Sequence, residues 1–443
     1  MKINPIMLFG IFLVGISSLE AQEKTSLTLD DAVRIAWEKS DEVTLANTKV
    51  NTKKYELRSI KNNQYPDLKA SGQYQRLAGA EVDLKMNQES GSGSGSMPNP
   101  DQLMLGQLSA SLPIFAGFKI QNSIKISENL YQAEIATSLK TKEDIALRVV
   151  NYYADLYKAQ KTIDLLNEDQ KQAKQRVTDF IELEKNGIIP RNDLLKSQLL
   201  VSKIQLSIDE ANKNLNILNY YLITLLKLDP TTKLYVRESD FINYKMDNIP
   251  TNEQPALENR KDLEALRYQE KASESNIKMA KSAYYPSVSL LGGYAAVDVR
   301  NILTVQNAMN FGVGVSYDLS GILKKGADIK QAQSKADEVK SSEEILTNYI
   351  KVEVQQSIEN YNLAVKQSAV YDLALEQASE NYRILKDKFD NGLADTNDLL
   401  EADVEHLSAK VNTATSKADI IQRYYEMLSK TGQLSQSFNL TKI

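Results

Sequence analysis

The chain contains itself twice. Asn186-Gly187 and Asn192-Asp193-Leu194-Leu195 return 205 residues later as Asn391-Gly392 and Asn397-Asp398-Leu399-Leu400, and Tyr65-Pro66 returns as Tyr285-Pro286. A period this long marks a duplicated domain and excludes a short solenoid repeat. Each copy carries the same series: a helix, Tyr-Pro, two short strands, a very long helix, an Asn-Gly turn and another long helix. A fold built on this series must therefore hold two similar halves, each with helices too long for a compact domain.

Within each copy the strands follow period two. Phe311, Val313, Val315, Tyr317 and Leu319 alternate with Gly312, Gly314, Ser316 and Asp318, and Leu108, Ala110, Leu112 and Ile114 alternate with Gln107, Ser109 and Ser111. Alternation of this kind puts one set of side chains on each face. Weaker strands are expected at Leu68–Leu77 and Val288–Val299. All are about ten residues, the length a tilted transmembrane strand needs. The first hairpin is longer than the second by 15 positions, which coincide with the Gly/Ser/Pro-rich run 91–100; its composition is that of a flexible loop, expected outside the cell.

Helices fill the rest. Thr28 with Asp31 reads as a capped start of a helix running to about Asn63, where Pro66 returns the chain to extended geometry. From Ile120 to about Lys185 there is no proline or glycine, so one helix of roughly 100 Å is expected. A 4-3 seam runs through Ile145, Val149, Tyr152, Leu156, Ala159, Ile163 and Leu166, and its repeat through Ile350, Val354, Ser357, Tyr361, Ala364, Ser368 and Tyr371. After the Asn-Gly turns two more seams follow: Val201, Ile204, Ile208, Ala211, Leu215, Leu218, Leu222 and Leu225, then Val404, Leu407, Val411, Ala414, Ala418, Ile421, Tyr425 and Leu428. Such heptads mean coiled-coil packing. The last two seams are two positions out of phase across the repeat.

Composition narrows the class. The chain has no cysteine, hence no disulfide, thiolate metal site or lipidated N-terminal Cys, and one histidine, His406; no metal or other cofactor is expected. Net charge is −5, without a basic, aromatic-laced patch for nucleic acid. With 25% charged and 42% apolar residues it is not an α-helical membrane protein. No nucleophile elbow, P-loop or HExxH motif occurs, so no catalytic residue is assigned and the chain is read as a non-enzyme. Residues 1–21 read as a secretory signal, with Lys2, an apolar run Ile6–Ile16 and a cleavage site at Ala21. The mature chain divides into a first repeat 22–228, a linker 229–257 with Pro230, Pro250 and Pro255, a second repeat 258–430, and a tail 431–443 that is expected to pack beside the linker.

Four strands cannot close a barrel, and an open edge in hydrocarbon leaves backbone groups unpaired. Membrane-crossing strands would therefore demand several copies: two give eight strands and a filled interior, three give twelve and a conduit. Here the residues reach a family. The duplicated half, the start Leu27-Thr28-Leu29-Asp30-Asp31-Ala32, Tyr65-Pro66 and Tyr285-Pro286, the strand end Leu112-Pro113-Ile114-Phe115-Ala116-Gly117 and the two Gly-x5-Asp tips together resemble the TolC-type outer membrane efflux protein family. The resemblance implies a mainly α fold with a small β part. It implies a homotrimer whose twelve-stranded outer-membrane barrel continues into a long periplasmic α-helical barrel. It also implies a passive exit duct of a tripartite efflux pump or type I secretion system, set in outer-membrane lipid, with a periplasmic adaptor and an inner-membrane transporter as partners.

The resemblance assigns the tips Asn186, Gly187, Ile188, Ile189, Asn391, Gly392, Leu393 and Ala394 to adaptor contact. It assigns Asp398 and Glu401 to an acidic, lumen-facing entrance, where threefold rings of like charge would attract cations and raise carboxylate pKa values. Asp193 matches a residue that, in some members, pins the entrance shut through an Arg and a Tyr on the other tip. This chain has Ala394 and Phe389 there, which leaves Arg191 or Arg383 as substitutes. The competing reading of the helices is a periplasmic coiled-coil adaptor or scaffold without a membrane span.

Overall fold

The computed structural model describes residues 25–79, 100–242, 246, 249–300 and 302–440. The leader 1–21 and, apart from Pro100, the Gly/Ser/Pro run 91–100 lie outside the described residues. The first copy comprises β1 (Thr25–Ser26), α1 (Leu29–Lys39), α2 (Asp41–Asn62), β2 (Asp67–Arg76), β3 (Gln102–Ala116), α3 (Lys119–Lys185) and α4 (Arg191–Leu226). The link holds β4 (Leu234–Tyr235), α5 (Ser239–Ile242) and α6 (Gln254–Asn259). The second copy follows with α7 (Lys261–Lys281), β5 (Ser287–Val299), β6 (Leu303–Ser316), α8 (Leu319–Lys324), α9 (Gly326–Asp390) and α10 (Thr396–Lys430), then α11 (Leu434–Ser437).

The four long strands form one antiparallel sheet in the order β2-β3-β5-β6, so the two copies join at the β3–β5 ladder. Residues paired directly across strands share a face. One set of rows is Leu68, Ala110, Gly292 and Phe311, then Ala70, Leu108, Tyr294 and Met309, with Leu112, Leu290 and Val313 below. The opposite face carries Lys69, Ser109, Gly293 and Asn310, then Ser71, Gln107, Ala295 and Ala308. The first face is apolar and bare: Phe311 is 94% exposed and Met309 77%. Water would not leave such a face uncovered. No described helix is long and apolar enough to cross a membrane.

Below the sheet the helices lie side by side in a single layer. Its upper part has the order α2-α3-α7-α9 and its lower part α4-α3-α10-α9, with α3 and α9 running through both. The 67 residues of α3 span about 100 Å at 1.5 Å per residue. Most of the predicted seam of α3 and α9 is packed: Ile145, Val149, Leu156, Leu166, Ile350, Val354, Ser357, Tyr361, Ala364 and Ser368 are buried, while Tyr152, Ala159, Ile163 and Tyr371 are half-buried. Midway along the layer the core is widest. There α1, the ends of α4 and α10, the link and the tail gather around Val149, Tyr153, Leu222, Ile421 and Tyr425. Each Leu or Ile buried here contributes roughly 1.5–3 kcal/mol. The link is fastened by β4, which pairs with β1, and by Phe241 stacked 4.3 Å from Tyr157. The tail is fastened by Phe438 on Tyr425 and by Ser435 donating to the buried Glu143 at 2.9 Å.

Three expectations need correction. The helix expected from Thr28 to Asn63 breaks at Ser40, whose ψ of 152° is extended and whose hydroxyl accepts from Val43 N to start α2 afresh. The strand expected to reach Leu319 stops at Ser316; Asp318 turns back to accept from the Ser320 backbone and Leu319 opens α8. Val404, placed at the head of the last seam, is exposed, while Leu399, Ala402 and Ala409 are buried. These match Leu194, Ser197 and Ile204 of α4, so the copies share register near the turns. Higher up, α10 buries Ala418, Ile421 and Tyr425, whereas their counterparts Lys213, Asn216 and Tyr220 on α4 are exposed; at Leu428 and its counterpart Ile223 both helices are buried again. The phase shift follows from neighbours: α10 is held between α9 and α3, and α4 stands at the edge.

The strand-to-helix corner depends on one glycine. Gly117 has φ +59°, and a Cβ there would lie 2.5 Å from Ser282 O and 2.9 Å from Tyr285 Cβ. Gly187 is also left-handed, at φ +71°, but open to solvent. Gly187→Ala should therefore cost only the backbone strain, about 1–2 kcal/mol. Gly117→Ala should cost visibly more, because backbone must shift as well. Paired thermal melts followed by circular dichroism check this; equal melting points would mean that the corner has slack.

Candidate functional site

The far ends of the long helices from the sheet are two hairpin turns, α3–α4 and α9–α10. Each α3 or α9 terminus closes with the same hydrogen bonds: Gly187 N to Glu184 O and Ile188 N to Leu183 O, then Gly392 N to Phe389 O and Leu393 N to Lys388 O. This is the Schellman pattern, which needs a left-handed residue after the cap; Gly187 and Gly392 supply it at φ +71° and +70°. The Asn186 and Asn391 amides each donate to a carbonyl one turn back, Glu182 O and Asp387 O. In this motif the apolar residue after the glycine usually folds back onto the helix. Here Ile188 and Leu393 stay 66% and 77% exposed, with Ile189 and Ala394 half-buried. The tips thus offer bare aliphatic side chains on stiff turns.

The acidic residues at the turns divide into two kinds. Asp398 and Glu401 are exposed near the start of α10, and Glu401 lines a groove between α4 and α10 with Lys196, Leu199, Lys203 and Val404. Asp193 instead bridges the tips. It accepts from Thr396 Oγ1 at 2.9 Å, while Lys196 donates to Asn397 Oδ1 at 2.8 Å. Neither guanidinium expected to link the tips does so. Arg191 lies 3.7 Å from Glu184 within the first hairpin, and Arg383 pairs with Glu380 and Asp387 on its own helix. Phe389 reaches across by ring contact, stacked 5.4 Å from Phe180.

The strongest connection between the hairpins was not foreseen. Arg176 on α3 donates to Asp403 Oδ2 on α10 at 2.7 Å and to the Tyr382 hydroxyl on α9 at 3.2 Å. The two charged side chains are 10% and 4% exposed. Tyr382 in turn stacks on His406 at 5.2 Å. A signal for this cluster was present: Leu166, Asp169, Ala173, Arg176 and Phe180 keep the 4-3 spacing, and so do Leu399, Asp403, His406 and Lys410. Charges occupy seam positions on both helices. Read as breaks in an apolar seam they drop out; read as seam positions they pair.

Asp169 sits in this cluster with its carboxyl pushed up to about 6, first by burial and then by the charge of Asp403, against the opposing pull of Arg176 and Lys410. Burial and Lys410 push His406 below its usual range. A raised carboxyl pKa favours the protonated fold, so its stabilising contribution is present below about 4 and is lost as the pH rises through about 6. Asn mimics the protonated form. Asp169→Asn should therefore be more thermostable than the parent at pH 7.5, with the gain shrinking toward pH 4. Melting curves across that range check it; a gain independent of pH would remove the carboxylate as the cause.

The sequence profile of the family described as Outer membrane efflux protein matches residues 33–226 and 253–433, one segment for each repeat. No curated protein matches the chain. Among solved structures, the CmeC outer membrane channel of Campylobacter jejuni superposes with TM-score 0.76 at 16% identity, over 98% of this chain and 94% of that one. The outer membrane protein VceC of Vibrio cholerae gives 0.75 at 14%, over 91% and 96%. The open state of the MtrE outer membrane channel of Neisseria gonorrhoeae gives 0.75 at 16%, over 92% and 89%. Identities this low speak for the fold, and the profile match to both repeats speaks for the family. The chain belongs to the outer membrane efflux protein family, the outer-membrane exit ducts of efflux pumps.

Proposed function

We propose that three copies of this chain close into one passive duct, whose sheets form a twelve-stranded barrel in the outer membrane and whose helix layers form a tube through the periplasm. One observation carries this reading: every layer is open at the same two sides. β2, α2 and α4 stand at one side, and β6 and α9 at the other. Exposed apolar residues mark the open helices, with Leu199, Leu206 and Ile217 on α4, and Tyr349, Val352 and Val370 on α9. A head-to-tail contact that joins unlike sides builds a ring when the rotation closes. Twelve strands leave a lumen where eight would fill it. The apolar sheet face then meets lipid, and the Ser-, Gln- and Gly-rich face lines the pore.

In this assembly the tips at Asn186–Ile189 and Asn391–Ala394 form the periplasmic end, where an adaptor engages Ile188 and Leu393 and an inner-membrane transporter supplies the energy. The duct performs no chemistry. Service in type I secretion would use the same architecture, with a different transporter below.

Two measurements test the reading. Native mass spectrometry in detergent should find three times the chain mass, less the leader; a monomer that stays soluble without detergent would end the proposal. In planar bilayers, Asp398→Asn with Glu401→Gln should lower cation selectivity and weaken block by divalent ions. Unchanged currents would take both side chains out of the entrance.

A further inference from the structure

The corner where β3 enters α3 holds a strained residue. Gly117 and Phe118 are both left-handed, at φ +59° and +64°. Glycine adopts this conformation freely, whereas a bulky side chain is strained in it. Phe118 gains nothing from capping: α3 begins there without a side-chain hydrogen bond, and the residue stays 54% exposed. Its ring contacts are two other rings. Phe115 lies 5.4 Å away and Tyr285 6.3 Å away, and those two are 6.5 Å apart, all edge to face. The second copy carries Ser320 and Leu323 where the first has Phe115 and Phe118, so the repeat does not impose this cluster.

The three rings sit at the foot of the apolar sheet face. The register shifts between Pro113 and Phe115, which sets Phe115 opposite Val288 and Val288 opposite Val315, in line with Leu290 and Val313 above. Charge at this level is one-sided. Lys119 follows Phe118, Lys281 precedes Ser282 at the close approach to Gly117, and Lys278 is one turn earlier. Lys61 and Lys324 close α2 and α8 at the neighbouring corners. All five are exposed, and among the described residues no carboxylate bridges them. The nearby acids Asp67 and Asp328 are already paired with Lys69 and Lys325. At the opposite end of the described sheet Arg76 and Arg300 are balanced by Asp101 and Asp298. A local basic excess thus stands in a chain of net charge −5. β3, β5, α3 and α7 occupy the middle of their layers, away from both open sides, so ring closure leaves this corner uncovered.

In the duct reading, hydrocarbon ends at the foot of the apolar face and the phosphate layer begins. Aromatic rings favour that level, and lysine stems lie along apolar surface while their ammonium groups reach outward. Rings alone would anchor the sheet in any bilayer; lysines left without counter-ions add a preference for negative headgroups. We propose that Phe115, Phe118 and Tyr285, with Lys119 and Lys281, form a site for one anionic phospholipid per subunit on the periplasmic leaflet. The rings take the glycerol backbone and the upper acyl chain, and the lysines take the charged headgroup. The left-handed turn holds Phe118 in place before the lipid arrives. The site rests on the duct reading for its place in the bilayer.

Dioleoyl phosphatidylglycerol and dioleoyl phosphatidylcholine share their chains and differ in headgroup charge. Native mass spectrometry of the delipidated assembly, titrated with an equal mixture, should show phosphatidylglycerol retained first, up to one per subunit. Lys119→Gln and Lys281→Gln should each lower that preference about fivefold. Lys386→Gln with Lys388→Gln, exposed at the far end of α9, removes as much charge and should leave the preference unchanged. Phe118→Ala should weaken both lipids and keep their ratio. Equal retention of the two lipids by the parent, or a preference that survives both lysine variants, would overturn the site. Displacement by inorganic phosphate would reduce it to a plain anion site and overturn the lipid. The lysines are exposed, so these variants keep the test decisive if Phe118→Ala fails to fold. A chain that stays monomeric without detergent would end the duct reading; a trimer with no lipid preference would end this site alone.

Discussion

An unclosed sheet edge governs this molecule. β2 and β6 each leave a row of backbone donors and acceptors unpaired within the chain, while one face of the sheet between them is apolar and bare. Either feature alone is tolerable in a soluble protein. Together they are tolerable only where lipid covers the face and another strand covers each edge, because hydrocarbon offers no water to satisfy a stray N–H. The duplicated architecture follows from this. Two copies of one strand–helix series give a sheet with unlike edges, and unlike edges can join head to tail.

The helices extend the same logic to water. A helix in a single layer has neighbours on two sides and solvent on the other two, so most of its circumference is polar and only the seams are apolar. This explains why α3 and α9 run for 67 and 65 residues without any window that resembles a membrane span. Stability is concentrated at the middle of the layer, where α1, the link and the tail add a second shell over α3 and α10. The ends of the hairpins lack that shell and rest on seam contacts alone.

Polar chemistry is distributed to match. At the waist it fastens: Arg260 bridges Asp262 and Glu353, and Lys430 reaches the same Glu353 from the end of α10. This network ties both ends of the second repeat together beside Gly432, whose left-handed backbone sits against Asn259 and Arg260. Toward the tips some ion pairs stay within a hairpin, as Arg191 with Glu184 and Arg383 with Glu380, while Arg176 with Asp403 joins the two hairpins.

The repeat, the long helices, the period-two strands and the Asn-Gly turns are determined by the sequence itself, because each rests on local rules: 3.6- and 2-residue periods, proline's fixed φ and glycine's freedom. The family resemblance came from the order of these local signals. Ser40, whose hydroxyl caps α2, is a local signal too. What only the tertiary structure decided is which neighbours each helix has. α4 and α10 carry related sequences, yet one lies at an edge and the other between two helices, so their buried stripes diverge between Ala418 and Tyr425. The Arg176–Asp403 pair joins residues more than two hundred positions apart. No periodicity encodes such a partner; it exists because the β3–β5 ladder and the waist bring the two copies side by side, where the two buried charges pair directly.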